Sequence, residues 1–273
     1  MISFCAIPPT AHLAAFQQRY HLALAPRCLV DKRYFDFYKQ RAAAGDYVIL
    51  DNGAYEIGCS LNPRLVLRLA IDGGFREVVL PDVLRDAAGT FQALTAVGEL
   101  LRQTARDHPE LSFMVVPQGT NADEWMQSCE DVVKLCEYYY VSSSRITIGI
   151  PKHAATFAGQ VLGRMYLLRR LQRWFGGIHA IHLLGLDDQM REILFLMTIP
   201  ELRYQVRSID SSKPIIHALN GDRLRTNYAW IAGPVYHRPQ DYFSAKLNAS
   251  TLDLARHNVR VVRMVLDGHK VLP

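Results

Sequence analysis

The feature that most limits what this chain can fold into is a device it repeats. A short apolar run, rich in β-forming residues, ends abruptly at a carboxylate, an amide or a glycine. Tyr47-Val48-Ile49-Leu50-Asp51-Asn52-Gly53-Ala54-Tyr55 is the sharpest instance. The others are Val78-Val79-Leu80-Pro81-Asp82, Phe113-Met114-Val115-Val116-Pro117-Gln118-Gly119, Ile146-Thr147-Ile148-Gly149-Ile150-Pro151, Ile181-His182-Leu183-Leu184-Gly185 and Val206-Arg207-Ser208-Ile209-Asp210. A run without alternation reads as a strand buried on both faces, as parallel strands are. From Asp51 to Asp82, Gln118, Ile150, Leu184 and Asp210 the intervals are 31, 36, 32, 34 and 26 residues. A strand, a crossover helix and two loops take roughly 30 residues or more. Polar groups at the carboxyl ends of many such strands converge only if the sheet closes. The spacing therefore predicts an α/β chain of the TIM (β/α)8 type, with Asp51, Asp82, Gln118 and Asp210 around one pocket on its rim. The 273 residues fit a single barrel, which typically takes about 250.

In chain order, Ile2 to Ile7 reads as a capping strand and His21 to Pro26 as the first barrel strand. Helices are expected over Arg33–Ala44, stopped by Gly45; after the Asn62-Pro63 cap, ending at Gly73-Gly74; over Thr90–Arg106; from Asp123; and over Arg164–Phe175. Asp187 is expected to cap the next helix and Pro200 to close it. Past Asp210 the pattern loosens. Pro214–Leu219 follows too closely to be an eighth strand, and Asn227–Ala232 is poorly patterned. Residues 214–273 are thus expected to be an irregular part that completes the barrel and contacts nucleic acid, with a final helix or helix-strand unit over Thr251–Leu266.

The net charge of +5, from 31 basic and 26 acidic residues, permits a polyanionic partner without demanding one. No signal peptide or run of 18 or more apolar residues stands out, so a cytoplasmic protein with no membrane partner is expected. The five cysteines contain no Cys-x-x-Cys pair. Cys129 and Cys136 fall on an apolar stripe at helical spacing and read as core filler rather than zinc ligands. On the Arg164–Phe175 helix, Leu167, Leu168, Leu171, Trp174 and Phe175 share one arc, opposite Tyr166, Arg169, Arg170 and Arg173. That polar face suits a solvated outer wall, or a phosphate-contacting stripe joined by Arg256, Arg260 and Arg263.

Two carboxylates at strand ends suit displacement at a sugar's anomeric carbon, one attacking and one managing the proton. A third acid accepts the paired N–H groups that guanine presents, and a carboxamide donates to a carbonyl. A tyrosine four residues past Asp51 offers a stacking face.

On these residues the chain resembles the tRNA-guanine transglycosylases. Asp51-Asn52-Gly53-Ala54-Tyr55 is similar to their Asp-Ser-Gly-Gly-Phe/Tyr motif, and Val116-Pro117-Gln118-Gly119 to their Val-Gln-Gly-Gly. Leu183-Leu184-Gly185 is similar to their Leu-Met-Gly, and the strand-ending Asp210 to their nucleophile. The landmarks keep the family's order and span about Tyr47 to Pro214. The resemblance implies a pentosyltransferase that exchanges guanine for a 7-deazaguanine without a cofactor. It assigns Asp210 as nucleophile, Asp51 as general acid/base, and Asp82 and Gln118, with Gly119 beside it, to base binding. The backbone at Leu184-Gly185 becomes a further reader and Tyr55 the stacking ring. Two departures stand out. The family's Cys-x-Cys-x-x-Cys…His zinc site is missing, so no metal is expected, and Ser211-Ser212-Lys213-Pro214 replaces its Cys-Val-x-Pro-Thr-Arg. The short, zinc-free pattern looks most like the virus-encoded branch that inserts 7-deazaguanines, such as 7-cyano-7-deazaguanine, into DNA. A phage enzyme of DNA modification, working in the host cytoplasm, is the expectation; tRNA is the alternative polymer.

Rival chemistries fit less well. A Schiff-base aldolase would use Lys152 or Lys213, which lie just beyond strands. A metal hydrolase would use His179 and His182, but residues three apart in a strand face opposite ways. Both histidines therefore read as structural or rim residues. A non-catalytic, nucleic-acid-binding barrel remains the alternative to an enzyme.

Overall fold

The computed structural model describes residues 1–159, 162–176, 179–186, 191–225 and 236–268. Its eight strands are β1 (Ser3–Ala6), β2 (Tyr20–Leu24), β3 (Tyr47–Asp51), β4 (Glu77–Val79), β5 (Ser112–Val115), β6 (Ile146–Ile150), β7 (Ala180–Leu183) and β8 (Val206–Ser211). All pair in parallel, in the order β1-β8-β7-β6-β5-β4-β3-β2. With the helices between them this is a nearly closed TIM-type barrel, its seam lying between β1 and β2.

The segment at Ile2–Ile7 is therefore the first barrel strand, not a cap. Cys5 pairs with Asp210, and the Ile7 N–H donates to Ser211 O at 3.1 Å. His21–Leu24 is the second strand, and Val206–Ser211 already completes the eight. Nothing local distinguishes a terminal capping strand from a barrel strand; the partner, some 200 residues away, decides it.

The helices are α1 (Ala25–Val30), α2 (Lys32–Ala43), α3 (Ala54–Ile57), α4 (Pro63–Gly73), α5 (Ala87–Ala96), α6 (Gly98–Asp107), α7 (Ala122–Tyr138), α8 (Gly163–Phe175), α9 (Arg191–Thr198), α10 (Pro200–Arg203), α11 (Lys213–Leu219) and α12 (Ala249–Leu266). Asn62 caps α4 by accepting from the Arg64 N–H at 3.0 Å, as its sequence signature implied. The helix expected over Thr90–Arg106 is two. The chain breaks at Val97, and Gly98 backs onto the Tyr139 ring, where a Cβ would lie 1.9 Å from it. Pro200 opens α10 rather than only ending α9. Pro214–Leu219 is helical, and Thr251–Leu266 lies within one helix. Asp187 and Asn227–Ala232 lie outside the described residues.

Burial on both faces explains the missing alternation. Val48 and Leu50 pack outward against the helices, while Ile49 joins Leu22, Val79 and Met114 inside the barrel. Cys129 and Cys136 are core residues of α7. Below the apolar interior, at the amino ends of the strands, lies a polar layer. Arg207 Nη2 donates to Glu77 Oε2 at 2.6 Å, and its Nη1 reaches Tyr47 Oη at 3.2 Å and Thr147 Oγ1 at 3.1 Å. Arg207 is the extra residue of a β-bulge: Ile181 pairs with Val206, but His182 pairs with Ser208. The bulge lets Arg207, Ser208 and Asp210 all contribute to the barrel's interior networks.

Glu77 is fully buried, so losing its cation strands a charge. Arg207→Leu is expected to destabilise the protein by about 3–5 kcal/mol, and adding Glu77→Leu to recover much of that loss. Chemical denaturation of the two variants checks both.

Candidate active site

The carboxyl ends of the strands surround a cavity of about 290 Å³. Asp51, Asp82, Gln118, Leu184, Gly185 and Asp210 line it together, with Tyr55 on the rim. The barrel thus brings the strand-end residues to one place.

At the end of β3, Asp51 Oδ1 accepts from the Gly53 N–H at 2.8 Å. That turn needs glycine: Gly53 has φ +83°, and a Cβ there would meet Pro26 at 2.3 Å. Burial pushes the Asp51 carboxyl well above the ordinary aspartate range. The negative charge of Glu56 adds to the rise, as do those of Asp82 and Asp210, while the Gly53 N–H opposes it. So placed, the Asp51 carboxyl favours its protonated form more than an ordinary aspartate does.

Asp82 is also pushed up by burial, against the hydrogen bonds it receives. Asn52 Nδ2 donates to its Oδ1 at 2.8 Å and Gln118 Nε2 to its Oδ2 at 2.6 Å. The Ser60 hydroxyl accepts from the Asp82 N–H at 3.0 Å. Gln118 Oε1 in turn accepts from the Arg85 N–H at 2.9 Å; Arg85 has φ +62°. The two expected base readers are thus bonded to each other. Oδ1 also receives the Ser60 hydroxyl at 3.4 Å, so the capacity left for a ligand is a second lone pair on Oδ2 and one amide N–H of Gln118.

Asp210 sits at the end of β8, almost fully buried. Its Oδ1 accepts from the Gly185 N–H at 2.9 Å and faces His182 Nε2 at 3.0 Å. His182 Nδ1 lies 2.8 Å from Ser208 Oγ. Sequence reasoning set His182 aside as structural. The usable signal was its register: two residues before Leu184 in a strand, it shares that residue's inward face.

The Leu184-Gly185 backbone, expected to read the base, is already engaged. The Leu184 N–H donates to Ile150 O at 3.0 Å. The Leu184 and Gly185 carbonyls accept from Arg164 Nη1 and Nη2 at 3.0 and 2.9 Å. Arg164 is fully buried and paired with the equally buried Glu192, Nε to Oε1 at 2.9 Å. This segment therefore orients Asp210. Local pattern alone marked Arg164 only as the start of a helix.

Gly119 packs behind the site: a Cβ there would lie 2.8 Å from the Trp125 nitrogen. Tyr55 is 71% exposed, with Arg238 Cζ 5.9 Å from its ring centroid and Arg238 Nη2 donating to Glu56 at 3.0 Å. The ring therefore stands at the mouth rather than inside the cavity. Arg169, Arg170 and Arg173 lie along α8, and Arg256, Arg260 and Arg263 along α12, on the outer wall. Arg170 pairs with Asp123, Arg256 with Asp253 at 3.5 Å, and Arg263 bonds Gln18, just before β2 at the far end of the barrel. Among the described residues, Arg85, Lys152, Lys213 and Arg238 line the cavity. Lys213 Nζ donates to Tyr236 O. His179 points elsewhere, its Nδ1 3.1 Å from Ser143 O. Among the described residues no cluster of three metal-ligating side chains occurs, and no helix is long and apolar enough to cross a membrane. No known family and no curated protein matches the chain.

The raised Asp51 gives a testable sign. Between the ordinary aspartate value of 3.8 and its raised folded value, Asp51 holds a proton only in the folded chain. Its contribution to stability therefore falls as pH rises through that window. Asp51→Asn is expected to melt above the parent at neutral pH, with the difference shrinking toward pH 3.8. Thermal melts across pH check this; equal melting at neutral pH would show that Asp51 is not held protonated.

Proposed function

We propose that the chain is a base-exchange transglycosylase, a pentosyltransferase that replaces guanine in DNA with a 7-deazaguanine base such as 7-cyano-7-deazaguanine. The observation that carries this reading is the meeting, at one cavity, of two strand-end carboxyls: Asp210, held through a single oxygen, and Asp51, pushed above the ordinary aspartate range. Asp210 attacks the anomeric carbon as the glycosidic bond breaks. The bond's electron pair goes to the departing guanine, which takes the Asp51 proton. The entering base returns a proton to Asp51 and displaces the Asp210 carboxylate, so the configuration is retained. Both bases use one pocket, which makes the exchange ping-pong.

The Asp82–Gln118 pair fits the base edge. The spare Oδ2 lone pair of Asp82 suits an N–H of guanine, and the remaining Gln118 N–H suits its carbonyl. A base must leave the duplex stack to reach such a cavity, and the cations around the mouth suit the flanking phosphates. DNA rather than tRNA rests on the absence of the Cys-x-Cys-x-x-Cys…His motif from these 273 residues and on the basic balance of the chain.

The test is labelled guanine offered with DNA and with tRNA in separate reactions, followed by denaturing gels. Exchange into DNA is expected, faster in single strands than in relaxed duplex, with a covalent protein–DNA species. Exchange into tRNA alone would reverse the polymer; binding without adduct or exchange would identify a non-catalytic barrel. Asp210→Ala is expected to abolish adduct and exchange together, and Asp51→Asn to slow both half-reactions by about 10²–10⁴-fold. Asp82→Ala is expected to weaken base binding by about 1–3 kcal/mol, measured by competition with labelled guanine.

A further inference from the structure

The buried group the mechanism above leaves unused is His182. It is fully buried on β7, with one ring nitrogen on Asp210 and the other on Ser208. A carboxylate oxygen only accepts, so at 3.0 Å from Asp210 Oδ1 the Nε2 atom carries the proton. Ser208 Oγ also faces Arg207 Nε, a donor, at 3.4 Å. The serine's own proton is then free to point at His182 Nδ1. The chain of donors runs one way, from Arg207 through Ser208 and His182 to Asp210. Its far end is fixed by the Glu77 ion pair in the barrel floor.

Both donors on Asp210, His182 Nε2–H and Gly185 N–H, reach the same oxygen, Oδ1. Among the described residues no hydrogen bond goes to Oδ2. We infer that His182 is a positioning residue that selects Oδ2 as the attacking atom and keeps Oδ1 as the carbonyl oxygen of the glycosyl ester. This rests on the transglycosylase reading and adds the role of each oxygen. When Oδ2 bonds to the anomeric carbon, Oδ1 keeps its two donors. As the entering base displaces the ester, the electron pair of the breaking bond returns to the carboxylate, whose negative charge those donors stabilise. Donors fixed on an oxygen where charge develops are worth most in a site closed to water. His182 therefore acts most strongly on breakdown of the adduct.

The experiment forms the adduct with labelled DNA, chases it with unlabelled guanine, and follows formation and breakdown separately. In His182→Leu, breakdown is expected to slow by about tenfold or more, so that adduct accumulates relative to the parent. His182→Gln, which can return an amide N–H near the position of Nε2, is expected to restore breakdown to within a few-fold. Ser208→Ala, which removes only the group that orients the ring, is expected to accumulate adduct to a lesser degree. Equal formation and breakdown rates in parent and His182→Leu would overturn the inference, as would equal slowing of both steps with no rescue by glutamine. If His182→Leu does not fold, Ser208→Ala decides: accumulation supports the role, and an unchanged partition sinks it. A parent protein that forms neither adduct nor exchange removes the transglycosylase reading itself. A normal parent with unaffected variants removes only the role of His182.

Discussion

The pairing of β1 with β8 sets Cys5 beside Asp210 and Phe4 beside Ile209, and the geometry of the mouth depends on it. Without that parallel pair, β8 would be an edge strand and Asp210 would stand at the margin of an open sheet. With it, the end of β8 faces the ends of β3 and β4 across a cavity small enough for their carboxylates to feel one another. The charge of Asp210 contributes to the raised affinity of Asp51 for its proton. Burial and the nearby Glu56 raise that affinity first, and the strand ends across the barrel add to it.

Support for the site comes from buried ionic groups at two depths. In the floor, Arg207 and Glu77 link β4 and β8 across the barrel's interior. Behind the mouth, Arg164 and Glu192 hold the Leu184-Gly185 carbonyls in place. Buried ion pairs are weak sources of net stability, because desolvation offsets much of the Coulomb attraction. Their value here is directional. A guanidinium fork with fixed geometry orients a loop whose remaining N–H holds the Asp210 carboxylate. Asp82 and Gln118 show the same logic, each constraining the other through one hydrogen bond.

The cavity lining also carries both signs of charge. Asp51, Glu56, Asp82 and Asp210 share the cavity lining with Arg85, Lys152, Lys213 and Arg238. The Arg238 guanidinium also lies over Phe243, 5.2 Å from its centroid, and Tyr242 Oη donates to Ile7 O at 2.6 Å beside the seam. The 236–243 segment thus covers part of the β1–β2 gap that backbone pairing leaves open.

Local sequence determined the strand-ending acids and amide, because a buried parallel strand must be apolar until it reaches the rim, where polar groups can stand. The closed α/β barrel and the convergence of Asp51, Asp82, Gln118 and Asp210 followed from that pattern and its spacing. Capping residues such as Asn62 were equally legible, since their hydrogen bonds close within three residues. What only the tertiary structure decided has longer reach. Ser3–Ala6 became a barrel strand through a partner far along the chain. The bulge at Arg207 shifted which residues face inward. His182, Arg164 and Glu192 acquired partners 28 residues away, and the Leu184-Gly185 backbone gained bonds to Arg164 and Asp210. A side chain's type and period state which face it prefers; which atom it meets depends on how distant strands register, and that is settled only when the barrel closes.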